Sequence, residues 1–100
     1  MRVFFERSGG FAGRKLQASL DLRSLPPEDA RRLEELLERS RFFELPLKLE
    51  PPGPAADRFT YRVTVESENG SRTVEAGEGA VPPGMRPLID WLTRFGRGQR

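Results

Sequence analysis

The chain has no histidine and no cysteine among its 100 residues. The first absence removes Ser-His-Asp and Cys-His nucleophilic sites, histidine-based zinc sites, and any side chain that titrates near neutrality without a large shift. The second removes disulfides, thiolate metal sites and cysteine nucleophiles, and leaves the redox compartment open. No stretch approaches the roughly 18 apolar residues of a membrane span, and residues 1–6 lack the apolar run of a signal peptide, so a cytoplasmic protein without a membrane partner is expected. Lysine is nearly absent too: only Lys15 and Lys48 accompany the arginines, and the net charge is +2. With no basic block before the tail, charge does not call for nucleic acid.

What is present suits one small α+β domain over residues 1–100. Apolar residues make up 36% and charged residues 32%, enough for a single core and a well-solvated surface. Strand-like alternation runs over residues 2–7 and 14–22, with Val3 and Phe5 on one face and Leu16, Ala18, Leu20 and Leu22 on the other strand's matching face. Pairing Arg7 with Arg14 sets Phe5 opposite Leu16, Val3 opposite Ala18 and Glu6 opposite Lys15, which satisfies both faces. Phe4 falls on the opposite face, either partly exposed or covered by a loop.

Leu25-Pro26-Pro27-Glu28-Asp29 reads as a helix start, with proline in the first turn and acids at the positive end of the dipole. Ala30, Leu33, Leu36, Leu37 and Ser40 then form one stripe of about four turns. Phe42, Phe43 and Leu45 close the helix end, and Pro46 stops it. Pro51, Pro52, Gly53 and Pro54 make residues 47–57 an extended loop unable to sit in a central strand.

Phe59, Tyr61, Val63 and Val65 alternate with Arg58, Thr60, Arg62, Thr64 and Glu66 in a third strand. Asn69-Gly70 suggests a type I′ turn into a fourth strand over residues 72–76, setting Val65 opposite Val74 and Val63 opposite Ala76. A last helix over residues 85–95 carries Met85, Leu88, Leu92 and Phe95 on one face, widened by Ile89 and Trp91. Residues 96–100 read as a frayed tail. The order ββαββα predicts a four-stranded antiparallel sheet with both helices packed on one face and a polar opposite face.

The chemistry-bearing stretch is the glycine-rich loop Ser8-Gly9-Gly10-Phe11-Ala12-Gly13 between the first two strands. Such a loop is longer than a tight turn requires and carries a Phe, which either folds back on the core or is presented to a partner. Catalysis would need paired carboxylates, yet the acids sit mostly on the first helix, interleaved with arginines as solvated partners. Gly77-Glu78-Gly79 does not continue into a phosphate loop. Tyr61 and Phe59 share the buried face, so they do not form a stacking platform for bases. No enzyme, cofactor, metal or small-molecule substrate is expected.

Four ordered segments carry a resemblance: Phe5-Glu6-Arg7-Ser8-Gly9-Gly10-Phe11-Ala12-Gly13, Leu25-Pro26-Pro27-Glu28, Phe42-Phe43-Glu44-Leu45-Pro46, and residues 57–66 beginning Asp57-Arg58-Phe59. Together they resemble the emfourins, small bacterial protein inhibitors of thermolysin-like (protealysin-like) zinc metalloproteases. The resemblance implies a protease partner, contacted by Arg7, Ser8, Gly9, Gly10, Phe11, Ala12 and Gly13 of the loop, with Asp57 and Arg58 either contacting the protease or bracing the loop. It implies that Phe11, or else another loop residue, enters the pocket that takes a bulky apolar side chain after the scissile bond, with Arg7 and Ser8 supporting the loop by hydrogen bonds. An intracellular interaction module with a non-protease partner, using the same loop or the polar sheet face, is the competing class.

Overall fold

The computed structural model describes residues 1–9, 15–51 and 58–98. Five strands and two α-helices are formed: β1 (Arg2–Gly9), β2 (Leu16–Asp21), α1 (Pro27–Ser40), β3 (Lys48–Leu49), β4 (Phe59–Ser67), β5 (Gly70–Gly77) and α2 (Arg86–Gly98). The sheet order is β2-β1-β4-β5-β3. β1 lies between β2 and β4, antiparallel to both, and β5 is antiparallel to β4.

The expected four-stranded antiparallel sheet is corrected at its edge. Lys48 and Leu49 pair in parallel with Glu75 and Ala76, so the sheet is mixed and has five strands. The proline-rich segment was expected to be loop throughout. Its first residues escape that restriction because the prolines begin at Pro51, and an edge strand uses only one side of its backbone.

Both hairpin registers also differ from expectation, each by two residues. Arg7 pairs with Leu16, Phe5 with Ala18, Val3 with Leu20 and Glu6 with Gln17. Val63 pairs with Val74 and Tyr61 with Ala76. A slip of two keeps every side chain on its face, so alternation alone does not distinguish the registers. At the second hairpin, Ser67 pairs with Gly70, leaving Glu68 and Asn69 as the turn. Gly70 has φ +124 whereas Asn69 is not at positive φ, so the turn is not the expected type I′.

One face of the sheet contributes Val3, Phe5, Ala18, Leu20, Val63, Val65, Val74 and Ala76 to the core. Leu33, Leu36 and Leu37 of α1 and Leu88, Ile89 and Leu92 of α2 cover it, the stripes expected from helical spacing. Ser40 is buried with them, and its Oγ donates to the Leu37 carbonyl at 2.8 Å, so the hydroxyl is satisfied inside the core. α1 starts at Pro27 with Glu28 and Asp29 in its first turn. It ends at Arg41, which takes a left-handed conformation (φ 52) and donates its N–H to Glu38, rather than at Pro46.

A 3-10 turn over Phe42–Glu44 then buries Phe42 completely but leaves Phe43 54% exposed, so only one of the two rings closes the helix end. α2 continues past Phe95 through Gly98, and Gly96 lies close against Leu16 and Ala18 of β2. Residues 96–98, expected in the loose tail, are thus helical. On the opposite sheet face Gln17 donates to Glu6 at 3.0 Å, Arg62 bonds Glu75 at 2.9 Å, and the Thr64 and Thr73 hydroxyls meet at 2.8 Å. This face is polar as expected, with Phe4 half-buried within it.

The contrast between neighbouring rings gives a direct check of the packing. Phe42→Ala is expected to lower unfolding free energy by about 3–5 kcal/mol through lost burial and a residual cavity, whereas exposed Phe43→Ala should change it by less than about 1 kcal/mol. Urea denaturation of the two variants measures the difference.

Candidate functional site

β1 and β4 are far apart in sequence, yet their pairing brings Gly9 opposite Phe59. β1 ends at Gly9 and β4 begins at Phe59, so the strand ends that border residues 10–14 and 52–57 lie side by side at the same end of the sheet. That end is the one away from Met1 and from the β4–β5 turn, since β1 begins at Arg2 opposite Glu66.

The junction is built on close backbone approach. Gly9 has φ +87, and a Cβ there would stand 2.6 Å from the Arg58 carbonyl oxygen. Only glycine meets both conditions without displacing β4. The neighbouring strand is held in a related way: a Cβ at Gly77 would lie 2.5 Å from Cδ of Pro51, so Pro51 sits directly on the end of β5. After β5 the 3-10 turn Glu78–Ala80 aims the Glu78 carboxylate at the first amide of β4, and Phe59 donates its N–H to Glu78 Oε1 at 3.0 Å. A charged acceptor makes this one of the stronger bonds at the junction.

Beneath the loops an aromatic row continues the core face. The Phe5 and Tyr61 rings are stacked with centroids 6.3 Å apart, and Phe59 and Tyr61 are tilted at 6.4 Å. Arg7 follows Val3 and Phe5 on this face. Its guanidinium carbon lies 4.4 Å from the Phe59 ring centroid, a cation–π contact that fixes the side chain at the mouth of the core. The Arg7 Nε is buried and has no hydrogen-bond partner among the described residues. The Tyr61 phenol is pushed above its ordinary pKa by burial first and by the Glu78 carboxylate second, with Arg7 and Arg86 opposing.

Of the residues expected to contact a partner, Arg7, Ser8, Gly9 and Arg58 are brought together here. Ser8 is half-buried and pairs with Thr60. Gly10, Phe11, Ala12, Gly13 and Asp57 lie outside the described residues. Sequence reasoning missed Pro51 and Glu78 as parts of the junction. Nothing local signals them, because each acts on a strand it reaches only in the folded sheet. Among the described residues no group of three or more acidic side chains could hold a metal ion, and no helix is long and apolar enough to cross a membrane.

The residues brought together at the Gly9–Phe59 junction form a close-packed end of the sheet with an arginine at its rim. The family profile Emfourin matches residues 5–93, and the chain belongs to that family. Among solved structures it is similar to emfourin from Serratia proteamaculans, described as an M4 family peptidase inhibitor. The identity is 24%, covering 93% of this chain and 87% of that one, with a TM-score of 0.49. No curated protein matches the chain.

Two outcomes follow from the junction. Gly9→Ala should cost more than about 1 kcal/mol in stability, through a strained φ and the clash with Arg58, and should speed amide exchange at the start of β4. Tyr61 is the one tyrosine of the chain, so a phenolate absorbance titration reads it alone. Its midpoint should lie above the free-tyrosine value of about 10 and return to it on unfolding. Because the folded state holds the proton more tightly, this contribution to stability is complete below the unfolded pKa and declines as pH rises through the window between the two values.

Proposed function

We propose that this chain is a protein inhibitor of thermolysin-like (protealysin-like) zinc metalloproteases that blocks the active-site cleft with the loops at the Gly9–Phe59 junction. The emfourin family is one of protease inhibitors, not enzymes, and membership supports the class. The observation that carries the mechanism is the pairing of Gly9 with Phe59, which sets the points where residues 10–14 and 52–57 attach on adjacent strands of one sheet. Preorganisation of this kind limits the ordering cost of binding, so contact energy is retained as affinity.

In this reading Phe11 enters the apolar pocket beyond the scissile-bond position, and the glycines around it let the backbone approach the cleft. Ser8, Gly10, Ala12, Gly13, Asp57 and Arg58 frame the contact. Lacking histidine and cysteine, the chain could reach the protease's zinc only through a carboxylate, a carbonyl or its amino terminus, and in this reading inhibition is steric and the metal stays on the enzyme.

Titrating a purified thermolysin-like protease with the chain, on a small peptide substrate, should abolish activity near equivalence, with the inhibitor uncut and the protease zinc retained. Phe11→Ala should weaken inhibition by about 2 kcal/mol or more, roughly 30-fold, without loss of folding. Full activity against several such proteases at excess inhibitor would contradict the proposal.

A further inference from the structure

Arg7 is a cation at the core's mouth. It is half-buried, and among the described residues its enclosed Nε has no hydrogen-bond partner and its guanidinium makes no ion pair. The Glu78 carboxylate at this junction accepts the Phe59 N–H. Holding an unpaired guanidinium partly out of water is unfavourable, and a hydrophobic residue in this row would continue Val3 and Phe5 without that cost. The Phe59 ring removes much of the side chain's freedom, so a planar fork of donors is fixed beside the two loops. Exposed Lys15 precedes Leu16, the register partner of Arg7, and adds positive charge at the same end.

We infer that Arg7, set on Phe59, receives a carboxylate from the rim of the protease cleft, making it an affinity and specificity determinant of the complex. The inference rests on the inhibitor reading and refines the expected partner contact of Arg7 by naming a carboxylate as the group it recognises. In the free chain the guanidinium is oriented on the Phe59 ring with its Nε enclosed. In the complex the carboxylate accepts from the terminal N–H groups of the guanidinium, and the bond gains strength as water leaves the interface. Proteases lacking an acidic group at that rim position are inhibited less.

The test compares the unaltered chain with Arg7→Gln and Arg7→Met, measuring inhibition constants at about 0.05 M and about 0.5 M salt together with thermal midpoints. Arg7→Met keeps an apolar stem over Phe59 and safeguards folding. Both variants should weaken inhibition at least about tenfold at low salt, the deficit narrowing at high salt, with thermal midpoints unchanged or raised. Equal inhibition by all three proteins would overturn the inference. An equal deficit at both salt levels would also overturn it, indicating a neutral acceptor, and a loss of inhibition that tracks a fall in thermal midpoint would assign Arg7 a structural role instead. Failure of the unaltered chain to inhibit would remove the inhibitor reading itself, and this inference with it.

Discussion

The antiparallel pairing of β1 with β4 is the constraint on which the rest depends. It joins the first residues of the chain to a strand beginning at Phe59, and it ends where Gly9 passes against the Arg58 carbonyl. With β1 enclosed between β2 and β4, the backbone groups of this inner strand are used on both sides, and the alternating apolar residues of all three strands are forced to one face. The two helices then have one surface on which to bury their leucines.

The same pairing separates the molecule into two ends with different chemistry. At one end the core closes with Phe43, Met1 and the β4–β5 turn, and both Phe43 and Met1 are exposed. At the other the aromatic row of Phe5, Tyr61 and Phe59 closes with Arg7, while Glu78 and Pro51 pin the ends of β4 and β5. Charge, close backbone packing and loop attachment therefore converge at one edge of the sheet. A rigid base under two loops is what a steric inhibitor requires, since a base that moved would forfeit the binding energy gained by the loops.

Much of this was legible from alternation and helical spacing: the faces of β1, β2, β4 and β5, the stripes of both helices, and the glycine-rich loop between the first two strands. Registers were not, because a period-two pattern is unchanged by a slip of two residues, as Val63 meeting Val74 instead of Ala76 illustrates. Lys48 and Leu49 were hidden by their brevity and the prolines after them; a two-residue parallel edge has no periodicity to detect. At the site, Arg7, Ser8 and Gly9 were found from the loop they open, and Arg58 through resemblance, but their adjacency was not. It arises from a long-range strand pairing, as do the roles of Glu78 and Pro51, and no local pattern encodes which strands become neighbours.

The central claim is that partner contact occurs at the Gly9–Phe59 end. Amide hydrogen exchange of the chain, free and bound to a thermolysin-like protease, tests it most directly. Added protection is expected at Ser8, Gly9, Phe59 and the segments they flank, with α1 and the Phe43 end unchanged. Protection centred on Phe43, Met1 and the β4–β5 turn, with the Gly9–Phe59 end still exchanging freely, would contradict it.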